Sequence, residues 1–328
     1  MTRANPPLPQ NHQIRVHRHW TGLPQSARGA TVALGNFDGI HQGHRAVIDA
    51  ARSAAPDAPL GCVAFEPHPR EYFAKLSGAR AAPFRLMSPA ARLNHLARLG
   101  VAHLYELPFD KVMAGLSPEA FAKEVLADGL GVVHVAIGTD FRFGCEREGD
   151  AQMLTELGAQ LGFGVTSVPL AGPPGEKPAS STAIRAALSE GRPREAARML
   201  GHLHRIDGPV LHGEKRGREL GYPTANMAVD GLLLPRLGVY AVLVDVLTGP
   251  NKGSYQGVAS LGVRPMFGEN TPNLETYIFD FSGDLYGAEL SVALIEYLRP
   301  EAKFDSLDAL ILQMQADEAQ ARAILAAP

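Results

Sequence analysis

The spacing of apolar positions divides the chain into two stretches with different periods. Between residue 30 and about residue 200, short apolar runs alternate with longer segments whose apolar positions recur at helical spacing. The runs at 31–34 and 132–137 predict buried parallel strands, and those at 61–65 and 164–169 predict two weaker ones. Segments 45–55, 89–99, 118–126 and 151–161 predict helices between them. Such alternation predicts an open α/β sheet, whose ligands sit beyond the carboxyl ends of the strands. Two short helices are expected over 182–188 and 194–200, around Gly191 and Pro193.

Past residue 201 the texture changes. Runs at 204–211, 239–247, 256–261, 274–281 and 290–298 are β-rich and separated by Gly, Pro, Asn and Asp, which predicts an antiparallel sheet or small barrel. A helical pattern over 306–325 closes the chain. The boundary falls near 200, giving modules over 1–200 and 201–328.

Composition adds limits. A length of 328 residues suits two domains, and 45% hydrophobic with 20% charged residues suits buried cores. The net charge of -3 argues against a nucleic-acid partner. Cys62 and Cys145 are too few and too scattered for a disulfide framework or zinc knuckle, which fits a reducing cytoplasm. Residues 1–13 are polar and proline-rich, lack the apolar core of a secretory signal, and are expected to form a frayed tail. No run approaches the ~18 apolar residues of a membrane span, so no membrane partner is expected. No oligomeric state follows from the sequence.

The first candidate chemistry lies where the strand ending at Leu34 runs into Gly35-Asn36-Phe37-Asp38-Gly39-Ile40-His41-Gln42-Gly43-His44. The glycines permit a tight turn, and the helix start that follows presents free N–H groups and a positive dipole end to phosphate. His41 and His44 are three apart, so both project from one face of the first turn. No Walker loop occurs, and no third ligand at a familiar spacing makes the pair a metal site. Downstream, Ser181 and Thr182 are good N-cap residues, with Arg185 one turn inside the helix; alone this reads equally as an ordinary cap.

The second candidate is the stretch from His212 to Asn226. Gly213, Gly217 and Gly221 stand at four-residue spacing among Lys215, Arg216 and Arg218, a pattern equally at home in a solvated turn. Thr224 and Asn226 place neutral oxygens two residues apart, on one side if the backbone is extended, and such ligands suit Mg²⁺ beside nucleotide phosphates. By period two, Glu275, Tyr277, Phe279 and Phe281 share one strand face.

Several ordered strings carry a family resemblance. G-N-F-D-G-I-H-Q-G-H at 35–44, F-E-P-H-P at 65–69, G-T-D-F-R-F-G at 138–144 and S-S-T-A-I-R at 180–185 resemble the bacterial bifunctional riboflavin kinase/FAD synthetase family. P-T-A-N at 223–226, G-V-Y-A at 238–241, F-S-G-D-L-Y-G at 281–287 and L-R-P-E-A-K-F-D at 298–305 resemble its kinase module. The resemblance spans residues 28–315. It implies a Rossmann-like α/β nucleotidyltransferase domain with a parallel sheet and an H-x-G-H motif, then a small antiparallel β-barrel with a terminal helix. The first would turn FMN and ATP into FAD and pyrophosphate; the second would transfer the ATP γ-phosphoryl to riboflavin.

By position, the resemblance implies that Gly35, Asn36, Asp38, Gly39, His41, His44 and His68 hold ATP in the first module. Ser181, Thr182 and Arg185 would hold the departing phosphates, with His44 and Arg185 catalytic. Phe73, Asp140 and Phe143 would face the flavin. In the kinase, Gly213, Lys215, Gly217, Gly221, Pro223, Thr224 and Asn226 would hold ATP, Thr224 and Asn226 would bind Mg²⁺, and Glu275 would be the base. The chain departs from the family at Asp140, where Asn is common, at Tyr277, where His is frequent, and at 260–267, where many members read N-I-G-x-x-P-T-F. Two rival readings stand beside this one. A different adenylyltransferase would share the histidine turn but leaves P-T-A-N with Glu275 without a role. A flavin-sensing or RNA-binding protein would need neither phosphate site.

Overall fold

The computed structural model describes residues 14–78, 82–169, 171–172, 178–212, 221–266 and 269–327. The tail expected over 1–13 lies outside the described residues. Two compact units form: Pro6–Ala82 with Arg92–Ser180, and Pro83–Ala91 with Ser181–Pro328. Segments 83–91 and 181–200 thus group with the second unit.

In the first unit, strands β1 (Arg15–His17), β2 (Thr31–Leu34), β3 (Leu60–Glu66), β4 (His103–Pro108), β5 (His134–Gly138) and β6 (Gly164–Val168) make one parallel sheet. Their order is β1-β4-β3-β2-β5-β6. All four residues of β2 are buried, as a central strand covered on both faces requires. The helices are α1 (Gln42–Ala54), α2 (Pro69–Leu76), α3 (Pro89–Arg98), α4 (Lys111–Gly115), α5 (Pro118–Ala120) and α6 (Ala151–Leu161); α5 continues as a π-helical segment over Phe121–Leu130. Leu34, Phe65, Tyr105, Leu126 and Ile137 belong to the core.

Two strands escape the apolar pattern. β1 is three residues long, and β4 reads His-Leu-Tyr-Glu-Leu-Pro, so His103 and Glu106 interrupt its run. Both polar side chains are buried, and both are paired. His103 Nδ1 lies 3.0 Å from His17 Nε2, and Arg92 donates to Glu106 Oε1 at 2.7 Å, which offsets the cost of removing the carboxylate from water. β2 has β3 on one side and β5 on the other, so the winding of the sheet reverses there. In open α/β sheets, ligands bind at such a reversal, beyond the carboxyl ends of the strands.

The second unit carries α7 (Ser181–Ser189) and α8 (Pro193–Leu200), followed by a six-stranded antiparallel sheet. Its strands are β7 (Arg205–Pro209), β8 (Thr224–Ala228), β9 (Gly238–Val246), β10 (Gly253–Met266), β11 (Glu269–Ile278) and β12 (Glu289–Arg299), in the order β7-β12-β9-β10-β11-β8. The chain leaving β7 meets β8, where Leu211 N–H donates to the Asn226 carbonyl at 2.8 Å, so the sheet nearly closes into a barrel. Tyr240, Val242, Leu261, Leu274 and Val292 fill its core.

Helix α9 (Leu307–Ala326) starts at Ser306, whose Oγ accepts from Ala309 N–H. It is pinned to the barrel by Arg299, which donates from two nitrogens to the buried Asp317 carboxylate. Among the described residues no helix is long and apolar enough to cross a membrane.

One expected strand face needs correcting. The shared face of Glu275, Tyr277, Phe279 and Phe281 fails at Phe281, because β11 stops at Ile278 and Asp280 adopts φ +55°. Tyr277 and Phe279 pack beneath α9 with Ala321, whereas Phe281 turns into the barrel core, its ring 5.2 Å edge-on from Tyr255.

Candidate functional site

The histidine turn follows the carboxyl end of β2, where the strand order reverses. Gly35 N–H is tied to the Val63 carbonyl of β3 at 3.1 Å. Phe37 and Ile40 take φ of +52° and +44°, conformations that side-chain-bearing residues rarely adopt and that cost about 1–3 kcal/mol each. Both side chains are fully buried, and that burial holds the strained turn in place. Asp38 and His41 are buried within it, and Asn36 and Gly39 complete it.

His41 is the N-cap of α1: its Nδ1 accepts from His44 N–H at 3.3 Å, which leaves Nε2 to carry the ring proton. The two imidazoles stack with centroids 3.8 Å apart and planes inclined by 17°. Gly43 makes this possible, since a Cβ there would lie 3.0 Å from Cε1 of His41. The Nδ1 of His44 is shut off from solvent and has no partner among the described residues. Burial first, and the neighbouring His41 second, hold His44 well below its ordinary pKa of 6.5, so it is neutral at pH 7.

His68 and Phe73 follow β3 in the chain, and Asp140 and Phe143 follow β5. His68 caps α2: its Nδ1 accepts from Arg70 N–H at 3.1 Å while its own N–H donates to Glu71 Oε2 at 3.1 Å. Asp140 follows β5 and folds back over Gly138, where a Cβ would meet its Oδ1 at 2.9 Å. Phe73 is half-exposed, edge-on to Tyr72 and Phe109, whereas Phe143 is buried in the core against Phe121 and Phe141. Ser181, Thr182 and Arg185 lie in the first turns of α7, in the second unit. There Arg185 Nε donates to the Phe84 carbonyl at 2.7 Å, with its guanidinium over the Phe84 ring.

In the barrel, β8 pairs with β11 in a register that sets Thr224 opposite Tyr277 and Asn226 opposite Glu275. Side chains directly opposite are near neighbours, so the oxygen pair and the carboxylate share one patch. Asn273 joins them: its Nδ2 donates to Glu275 Oε1 at 3.0 Å and to Asn226 Oδ1 at 3.3 Å. The sequence reading passed over Asn273, although its place two residues before Glu275 puts it on the same face. Among the described residues no cluster of three His, Cys, Asp or Glu could hold a metal. The neutral oxygens of Thr224 and Asn226 beside a carboxylate do fit the hard-oxygen preference of Mg²⁺.

Next to this patch lies a cavity of about 520 Å³, lined among others by Pro223, Thr224, Thr276, Asp284 and Tyr286. Gly221, two residues before Pro223, takes φ +80°. Gly213, Lys215 and Gly217 lie outside the described residues.

These features define a class. A doubly wound parallel sheet with a paired-histidine turn at a helix start, together with a barrel carrying a hydroxyl/amide/carboxylate patch, is the frame of a two-module transferase. Comparison with known proteins narrows this: residues 23–183 match the FAD synthetase family and residues 200–325 the riboflavin kinase family. The chain belongs to the family of bifunctional riboflavin kinase/FMN adenylyltransferases. The relative from Pseudomonas fluorescens is 41% identical over 96% of this chain and 99% of its own length. That from Escherichia coli K12 is 38% identical over 94% and 96%. A crystal structure named as a macrolide-efflux protein from Streptococcus pneumoniae superposes with a TM-score of 0.79 at 31% identity, covering 94% of this chain and 98% of that one.

Proposed function

We propose that the two activities of this family divide near residue 200: the module before it joins FMN to the adenylyl group of ATP, and the barrel phosphorylates riboflavin. The observation that carries the kinase assignment is the β8–β11 register, which puts Glu275 opposite Asn226 with the Asn273 amide donating to both. In phosphorylation the 5′-hydroxyl oxygen of riboflavin bonds to the γ-phosphorus, the bond from that phosphorus to the bridging oxygen breaks, and ADP leaves. Glu275 orients the hydroxyl and takes its proton; because such transition states are loose, orientation is the larger part of the task. Thr224 and Asn226 would hold Mg²⁺, which when bound neutralises charge on the β- and γ-phosphate oxygens. The cavity beside Thr224 has the size a nucleotide pocket needs, and Gly213, Lys215, Gly217, Gly221 and Pro223 are assigned to the same nucleotide.

In adenylylation a phosphate oxygen of FMN bonds to the α-phosphorus, the bond to the α–β bridging oxygen breaks, and pyrophosphate leaves. No enzyme nucleophile is needed, so catalysis is alignment and charge stabilisation. His41 offers its Nε2–H to phosphate and His44 a neutral ring, both at the N-terminus of α1, whose dipole favours anions. The resemblance assigns Gly35, Asn36, Asp38, Gly39 and His68 to ATP, Ser181, Thr182 and Arg185 to the departing pyrophosphate, and Phe73, Asp140 and Phe143 to the flavin. The scattered cysteines and the diffusible substrates support a cytoplasmic enzyme without nucleic-acid or membrane partners.

Purified protein given riboflavin, ATP and Mg²⁺ should form FMN and then FAD. Glu275→Gln should lower FMN formation by roughly 10²- to 10⁴-fold, the usual contribution of a general base, while FMN supplied directly is still adenylylated. Riboflavin phosphorylation at the wild-type rate in that variant would remove Glu275 from the mechanism.

A further inference from the structure

The wall of the barrel cavity contains a hydroxyl with nothing to bond. Thr276 lies on the inward face of β11 between Leu274 and Ile278, both buried and aliphatic, and it lines the cavity beside Thr224. It is itself fully buried, and its Oγ has no hydrogen-bond partner among the described residues. Its cross-strand neighbours are Ala225 of β8 and Ala259 of β10, so the space beside it opens where the flanking side chains are small. A valine at this position would match the surrounding core and carry no unmet polar group. Buried polar atoms in folded proteins are nearly always satisfied, so an orphan in a residue that lines a pocket calls for an explanation.

We propose that Thr276 is a specificity-determining residue of the kinase site, its hydroxyl hydrogen-bonding the nucleoside part of the nucleotide in this cavity. The inference rests on the kinase reading of the barrel and goes beyond it, since neither Glu275 nor the Thr224/Asn226 pair requires a polar group at 276. The cavity suits a nucleoside on chemical grounds. Val210, Ile278 and Leu285 offer apolar faces to a base, while Thr276, Ser282 and Asp284 offer polar atoms to its edge or to a ribose. Thr224, at the start of β8, also lines this cavity.

The test uses the full chain. Thr276→Val keeps the shape and removes the hydroxyl, whereas Thr276→Ser keeps the hydroxyl. For riboflavin phosphorylation, Thr276→Val should raise the KM for ATP by roughly 3- to 10-fold, the range one hydrogen bond supports, with kcat within about twofold. Thr276→Ser should stay near wild type, and the KM for ATP in FMN adenylylation should not change in either variant. Because the valine also removes an unmet buried group, its Tm without nucleotide should equal or exceed wild type, while the Tm gain from ATP shrinks. A purely structural threonine would not produce that opposition. An unchanged kinase KM in Thr276→Val overturns the assignment while leaving the kinase reading intact. If Thr276→Val fails to fold, Thr276→Ala serves, and an unchanged KM there overturns the assignment equally. Wild-type protein that leaves riboflavin unphosphorylated defeats the kinase reading and this inference together.

Discussion

His44 shows how packing alone can hold an imidazole neutral at a helix start. Stacked 3.8 Å from His41 and with its Nδ1 enclosed, it holds a proton poorly, so the ring stays neutral at pH 7. An enclosed ring nitrogen without a partner costs about 1–3 kcal/mol. Directed donors of this kind stabilise developing charge more than ground-state charge, and losing one typically costs 10²- to 10³-fold in rate. His44→Ala should therefore cut FAD formation from FMN by roughly that factor while riboflavin phosphorylation stays within about twofold. Chromatography of FMN and FAD checks both at once; undiminished FAD synthesis by the variant would take His44 out of the phosphate site.

Elements whose residues agree with one period were legible in advance, and those carrying a polar interruption were not. The runs at β9 and β12 and the helices α7 and α8 fall within a residue or two of their expected bounds. β4 was hidden by His103 and Glu106, whose partners are His17, 86 residues away, and Arg92, on the preceding helix. β8 was hidden because Thr-Ala-Asn-Met-Ala offers little apolar signal, and only its pairing with β11 makes it a strand. The sites follow the same rule. The histidine turn is local and could be read from ten consecutive residues, whereas Thr276 acquires meaning only through register and enclosure.

The entry to β7 carries a related signal, invisible in the sequence but measurable. His204 is buried at the start of the barrel, and burial, with His202 second, pushes its pKa down to about 4. The unfolded chain binds that proton near the ordinary value of 6.5 and the folded chain does not, so stability is fully present above 6.5 and is lost as pH falls toward 4. The loss should be on the order of 3 kcal/mol over that window, in addition to contributions of the same sign from His17, His44, His103 and His134. Urea titrations at a series of pH values should show a shallower acid loss for His204→Gln than for wild type. Parallel curves for the two proteins would count against the buried neutral state of His204.

At the scale of the whole molecule, the arrangement bears on how riboflavin becomes FAD. The Glu275 patch and its cavity are built wholly from the second unit, and the histidine turn wholly from the first. Each reaction has its own ATP chemistry, one attacked at the γ-phosphorus and the other at the α-phosphorus, so neither needs the other's reacting groups. FMN, the product of one and the substrate of the other, is a small soluble molecule that can leave one chain and enter another. A mixture of the Glu275→Gln and His44→Ala proteins should therefore convert riboflavin to FAD, although each alone stalls, the first before FMN and the second after it. The rate should rise with total protein until free FMN saturates the intact adenylylating site, and FMN should be seen to accumulate first. Failure of the mixture, with FMN accumulating and each remaining single activity intact, would mean that FMN made on one chain is not accepted by another. The two units would then be coupled by more than a shared diffusible intermediate.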